Sequence, residues 1–327
     1  MKKILAFAIL ALVSVSVSAR GRIEKLRADY DSLGNITGTY LFPKEKGANL
    51  RILDINVWQW DGKRDQLPEA WVKIGEDCSN EVRSEGFAGV ITAHMPEVVC
   101  LQEYSPKMHA ELYHKLQEAG YEITFLPGQG EVNFTPIFYK KSIIKLIETA
   151  YFAHDLPYNN GQTKSFTTAV FQIKKGGKKF IVANTHLWWK KEEAMAGSDN
   201  ARTQQVRNII AEAENLRTKY SCPIFFLGDL NSNLRSETLG VALVAGYKPA
   251  WEIATVHGDL RCGHHACDKN GFSRKQNKTD DGFGCIDHFL IYDPTGDVEV
   301  KTFMRDYAWF TVKLTDHYPN YADIRLK

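Results

Sequence analysis

Ile224-Phe225-Phe226-Leu227-Gly228-Asp229-Leu230-Asn231 is the stretch whose reading decides the fold. Four apolar residues in a row, stopped by a glycine, read as a short buried strand. A carboxylate and an amide two residues apart then follow at its end. Open α/β sheets gather their binding and catalytic groups where apolar strands stop. The same arrangement recurs along the chain. A strand over 180–187 carries Asn184-Thr185-His186 near its end, one over 51–58 carries Asp54-Ile55-Asn56, and one over 97–102 runs into Glu103. Ile286-Asp287-His288 lies in a strand over 285–292, and Thr315-Asp316-His317-Tyr318-Pro319 comes near the C-terminus. Each ending alone has a plain explanation as a solvated strand end, a cap or a turn. Six in one chain point to a single site.

Further strands are expected over 134–139 and 165–173. Helices are expected over 105–119, closed by Gly120, and over 198–220, where Val206, Ile209, Ile210, Ala213 and Leu216 form one apolar stripe for core packing. The glycine-rich, charged segment 258–284 reads as a long surface loop or insertion. There is no internal repeat, low-complexity linker or dinucleotide fingerprint. The fold class is therefore α/β, built on sheets.

Hydrophobic residues make up 44% of the chain and aromatic ones 12%, enough for a packed core and too much for disorder. Lys2 and Lys3, an apolar run over 4–17 and Val17-Ser18-Ala19 predict a signal peptide over residues 1–19, hence a secreted or periplasmic protein. No later run is long and apolar enough to span a bilayer. Residues 20–46 read as a polar N-terminal extension with a turn at Gly34-Asn35, and 47–327 as the catalytic domain. Lys plus Arg number 41 against 39 acidic residues, and removing 1–19 takes two lysines and no acid, leaving the mature chain near neutrality. Proteins that grip nucleic acid through phosphates usually show a basic excess, so a nucleic-acid substrate loses weight, although a local groove can still be basic. No stable protein partner is evident.

Of the six cysteines, Cys100 sits in the apolar run Val98-Val99-Cys100-Leu101 as a buried thiol. Cys262-Gly-His-His-Ala-Cys267 has zinc-like spacing without a second ligand pair, and is read as a disulfide-closed or free-thiol loop.

Taken in order, Asn56, Glu103, Thr185-His186-Leu187, Gly228-Asp229-Leu230-Asn231, Ile286-Asp287-His288 and Asp316-His317-Tyr318-Pro319 resemble the endonuclease/exonuclease/phosphatase superfamily, also called DNase I-like. The likeness runs from about residue 47 to the C-terminus. Thr315 stands where many relatives have Ser and keeps the hydroxyl. The resemblance implies an α/β (α+β) four-layer α/β/β/α sandwich of two packed mixed sheets flanked by helices, with the site at one edge. It also implies Mg²⁺ or Mn²⁺, with Glu103 as principal metal ligand.

The chemistry of a phosphate ester agrees: charge on non-bridging oxygens must be neutralised, a water activated and the leaving oxygen stabilised. Hard cations take oxygen ligands, which suits Glu103 with Asn56 and Asp316. Asp229 could orient or deprotonate the water, Asn231 could donate to the phosphate, and His186 could bind a phosphate oxygen or protonate the leaving group. Asp287 is placed to pair with His317. The general base stays open between Asp229 and the Asp287–His317 pair. Tyr139 resembles a phosphate-contacting tyrosine of many relatives, and equally suits a strand end. Trp188 and Trp189 could stack on a base or sugar, touch lipid, or fill the core. Lys190-Lys191 and the basic stretch 274–278 could attract an anion or simply be solvated.

The expected function is a secreted, divalent-metal-dependent phosphoester hydrolase, either phosphodiesterase or phosphatase, acting by in-line attack of an activated water. A secreted Mg-dependent endonuclease and a sphingomyelinase-type phospholipid hydrolase are the alternatives.

Overall fold

The computed structural model describes residues 42–60, 78–124, 133–258, 267–268, 271–272, 285–306 and 314–327. The signal peptide, most of the N-terminal extension, the basic stretch 274–278 and all but the last position of the Cys262–Cys267 loop lie outside them.

Two sheets form the centre. The first orders its seven strands as β10 (Val256–His257), β14 (Val298–Arg305), β15 (Asn320–Leu326), β1 (Leu50–Asn56), β2 (Val98–Gln102), β4 (Ile137–Lys140) and β3 (Tyr121–Ile123). The second orders six as β5 (Ile144–Ala153), β6 (Ser165–Ile173), β7 (Lys179–His186), β8 (Ile224–Asp229), β13 (Asp287–Tyr292) and β9 (Lys248–Pro249). A separate pair joins β11 (Cys267–Asp268) to β12 (Gly271–Phe272). The β1–β2 and β7–β8 pairs run parallel, the flanking pairs antiparallel, so both large sheets are mixed.

Three apolar clusters define the layers. One lies between the sheets, with Leu50, Ile52, Val98 and Cys100 facing Phe180, Val182, Phe225 and Leu227. A second packs the other face of the first sheet on helices α1 (Asn80–His94) and α2 (Pro106–Glu118), through Phe87, Val90, Ile91, Leu112 and Leu116. The third packs the second sheet on α3 (Ser198–Tyr220) and α4 (Glu237–Val244); a short helix, α5 (Ala250–Ile253), follows β9. The expected four-layer α/β/β/α sandwich is thus what the chain forms. Val206, Ile209, Ala213 and Leu216 are buried as the stripe requires. Ser105 caps α2, accepting from the Met108 amide at 3.2 Å, with Pro106 in the first turn.

The face between the sheets is graded. Side chains alternate along a strand, so Leu50, Ile52, Asp54 and Asn56 share one face of β1. Phe180, Val182, Asn184 and His186 do so on β7. Both rows pass from apolar to polar in the same direction. Gln102 stitches the middle of this gradient, its Nε2 donating to Asp54 Oδ1 and to Asn184 Oδ1 at 2.7 Å each. Asn184 Nδ2 in turn donates to the Leu101 and Pro136 carbonyls at 2.8 and 2.9 Å. Gly228, opposite Thr185 in the β7–β8 register, adopts φ +130°, and a Cβ there would run into the Thr185 carbonyl. Only glycine lets β8 approach β7 closely enough to end beside His186.

Residues 42–46, expected in the extension, pack on the domain. Phe42 is buried and stacks on His94 with ring centroids 3.6 Å apart. Cys78 is buried, and Cys100, Cys222 and Cys285 are buried free thiols. No helix among the described residues is long and apolar enough to cross a membrane.

Candidate active site

Four strand ends meet at the polar limit of the inter-sheet face. Asn56 closes β1, Glu103 follows β2, His186 closes β7 and Asp229 closes β8, with Asp287 opposite Asp229 in the antiparallel β13 register. Glu103 and Asn231 have positive φ, 57° and 47°, a conformation non-glycine residues adopt at some cost and which clusters at functional sites.

Asn56 Nδ2 bridges the two sheets at their edge, donating to Glu103 Oε1 at 3.1 Å and Asp229 Oδ2 at 3.0 Å. Its Oδ1 accepts from the Trp58 amide at 2.9 Å. In this arrangement Asn56 holds both carboxylates through its amide nitrogen. Glu103 Oε2 accepts from the Gln59 amide at 2.6 Å, and Asp229 Oδ1 from the Asn231 amide at 2.9 Å. Asn231 Nδ2 donates to the Leu187 carbonyl at 3.1 Å. One ligand atom each from Glu103, His186 and Asp229 lies within 4.8 Å of the others. Asp316 Oδ1 adds a buried oxygen with no hydrogen-bond partner. Oxygen-rich donors of this kind suit a hard divalent cation.

His317 and Asp287 form a closed pair, with Nδ1 2.9 and 2.8 Å from the two carboxylate oxygens. His317 Nε2 faces Asp229 Oδ2 at 3.7 Å and Asp316 Oδ1 at 3.8 Å. Burial pushes the imidazole pKa down, but the charges of Asp287, Asp316 and Asp229 outweigh it and raise it well above the ordinary histidine value. Burial, with help from Glu103, likewise pushes Asp316 up to about 6. His186 goes the other way: burial, then the Lys164, His317 and His154 charges, hold it well below the usual range. A histidine kept neutral in this way is a poor proton donor to a leaving group.

Lys164 is the residue that motif reading passed over. It lies directly before β6, is 6% exposed, and its Nζ sits 2.6 Å from His186 Nε2. The only signal in the sequence was a lysine at the head of a buried strand. Tyr139 requires a correction. The β2–β4 register sets it opposite Val98, at the far end of β2 from Glu103, and its ring packs in the inter-sheet core 5.4 Å from Phe171. The structure does not bring it to the site, because β4 runs antiparallel to β2 and carries its last residues away from the polar edge. Trp188 is core, its Nε1 donating to Ser198 Oγ at 3.0 Å, while Trp189 is 51% exposed. Trp189, Trp58, Glu103, Lys164, Asp229 and His317 are among the residues lining one cleft of about 660 Å³.

A mixed two-sheet sandwich with this cleft at its edge defines a class, and sequence comparison agrees with it. The model of the Endonuclease/Exonuclease/phosphatase family matches residues 74–317, and the chain belongs to that family of phosphoester hydrolases. Among curated relatives, a probable RNA exonuclease of Schizosaccharomyces pombe is 28% identical over 200 residues, 58% of this chain and 38% of the relative. Tyrosyl-DNA phosphodiesterase 2 of Bos taurus is 26% identical over 184 residues, 56% of this chain and 46% of the relative. The matches thus span less than half the length of these two relatives. An endonuclease/exonuclease/phosphatase from Bacteroides vulgatus superposes with a TM-score of 0.64 at 21% identity, covering 85% of this chain and 99% of that one, and supports the fold.

Proposed function

We propose that this chain is an exported phosphoester hydrolase that depends on a divalent cation, Mg²⁺ or Mn²⁺. One observation carries the reading: Glu103, His186, Asp229 and the Asp287–His317 pair converge from separate strand ends onto one cleft. Export rests on the sequence of residues 1–19.

Glu103 and Asp316 would hold the cation, with Asn56 fixing the direction of the Glu103 carboxylate. The cation, when bound, supplies Lewis-acid neutralisation of phosphoryl oxygen charge. Asp229 is the better candidate for general base, because His317 is held protonated by the carboxylates around it. With Oδ1 anchored by the Asn231 amide and Oδ2 by Asn56 Nδ2, the Asp229 carboxylate is held at the cleft, where it can orient a water and take its proton. A base so placed contributes roughly 10²–10⁴ in rate. His317 donates from Nε2 to a phosphoryl oxygen as charge builds, with Asp287 fixing its tautomer. Asn231 keeps a second amide hydrogen for the phosphate. His186, being neutral, accepts from Lys164 and holds the ammonium in place.

The named activities of the two curated relatives favour nucleic acid as a second reading, a secreted Mg²⁺-dependent endonuclease. The near balance of basic and acidic residues weighs against it. Purified protein with Mg²⁺ should hydrolyse p-nitrophenyl phosphate, bis-p-nitrophenyl phosphate or sphingomyelin while leaving plasmid DNA intact. Plasmid nicking would move the reading to the nuclease, and inactivity on all four would overturn the phosphoesterase proposal.

A further inference from the structure

The cleft is lined by groups of opposite character: the carboxylates of Glu103, Asp229 and Asp316, and the basic side chains of Lys164 and His186. His154 is bound to Lys164 through the backbone. His154 is 5% exposed, its Nε2 has no hydrogen-bond partner, and burial with the Lys164 charge pushes it down to about 3. Lys164 is fixed in place: its amide donates to Asn159 Oδ1 at 3.0 Å, and its carbonyl accepts from the His154 amide at 2.9 Å. Asn160 and Thr163, from the turn just before it, line the same cleft with further polar groups.

A lysine is rarely buried unless something answers its charge. Here the closest partner is the neutral His186; burial pushes the Lys164 pKa down, and the charges of Glu103 and Asp229 offset this only in part. The cation therefore faces the cleft incompletely compensated, which is the chemistry of an anion subsite. Its position matters for the kind of ester. A phosphodiester shares about one charge between two non-bridging oxygens, whereas a monoester near neutrality spreads about two over three. A bound divalent cation, Asn231 and His317 would share two of these oxygens. A third charged oxygen would meet Lys164, where a diester would instead press a second substituent against an ammonium.

We propose that Lys164 is a specificity-determining residue that recognises the third non-bridging oxygen of a phosphate dianion, making the enzyme prefer phosphomonoesters. The inference rests on the phosphoesterase reading and narrows its substrate class. The reaction adds water across the ester: its oxygen forms a new bond to phosphorus, the ester P–O bond breaks, and an alcohol leaves with one proton as inorganic phosphate is released.

The test uses Lys164→Met and Lys164→Arg in the full chain, with melting curves to show that both fold. Wild type should prefer p-nitrophenyl phosphate to bis-p-nitrophenyl phosphate by kcat/KM. Lys164→Met should lose about 10- to 100-fold on the monoester and only a few-fold on the diester, and Lys164→Arg should recover most of the monoester rate. Equal losses on both esters would mean that Lys164 merely positions His186, and would overturn the proposal; so would no loss on either. A binding measurement separates this claim from catalysis itself. By calorimetry at pH 7.5, inorganic phosphate should bind wild type more tightly than dimethyl phosphate does, and Lys164→Met should erase the difference. If the difference persists in the variant the proposal fails, even where the enzyme is active. If it is erased while neither ester is cleaved, the anion subsite stands and the phosphoesterase reading falls.

Discussion

The two ends of the space between the sheets are built from the same strands and behave as opposites. At one end Leu50, Val98, Phe180 and Phe225 fill the gap with apolar volume and are fully buried. At the other, four to six residues along the same strands, Asn56, His186 and Asp229 are buried almost as deeply yet carry groups that resist burial. The apolar end is stabilised by removal from water, roughly 1.5–3 kcal/mol for each large side chain. Setting carboxylates and a lysine together at the other end works against stability, since charges out of water cost several kcal/mol unless well paired. One end holds the sandwich shut, and the other stores the electrostatic tension that chemistry requires.

The largest effects should come from exchanging these properties. Asp229→Asn should reduce hydrolysis by about 10³-fold or more while the melting temperature stays equal or rises, because a buried charge has been removed. Phe225→Ala should do the reverse, lowering stability by about 3–5 kcal/mol in denaturant unfolding while the folded fraction keeps its turnover. A variant pair with these effects interchanged would break the division of labour.

A smaller effect separates the two ends by pH. The folded-state pKa of His317 is raised above its unfolded value, near 6.5 for a free imidazole. Its contribution to stability is therefore fully present below about pH 6.5 and disappears as the pH climbs through the raised value. Melting curves of wild type and His317→Gln should differ most at mildly acidic pH and converge as the medium becomes alkaline. Divergence with rising pH would show that His317 is not held protonated. The smallest effect is expected at Tyr139, because its ring belongs to the apolar end: Tyr139→Phe should leave kcat within about twofold of wild type. A loss of a hundredfold would return the tyrosine to the site.

The sequence announced the polar end more clearly than the apolar one. Asn56, Glu103, His186 and Asp229 each follow or end an apolar run, so strand pattern places them together, whereas Asp287 opens its strand and His317 lies outside any strand, and the ordered resemblance brings these two in. The strand over 165–173 and the helix over 198–220 agree with the structure to the residue, the helix because its stripe has an unbroken 3.6-residue period. Other elements left weaker traces. Helix α1 carries Gly86 and Gly89 in its interior, and Gly86 lies against Leu314, a contact that no local pattern encodes. Strand β5 is an edge strand with mostly half-buried residues, so its alternation is blurred. Tyr139 was misplaced because β4 reads the same in either direction, and only its pairing with β2 shows which end meets the site. Lys164 was missed because nothing local marks a lysine as buried.

The most direct test is the rate of phosphate-ester hydrolysis as Mg²⁺ or Mn²⁺ is returned to EDTA-stripped protein, with Glu103→Gln measured alongside wild type. The stripped enzyme should be silent and wild type should recover saturably, while the variant stays about 10³-fold lower at any cation concentration. Full activity after stripping, or equal recovery by the Glu103 variant, would contradict the assignment of this cleft as a metal-dependent phosphoester site.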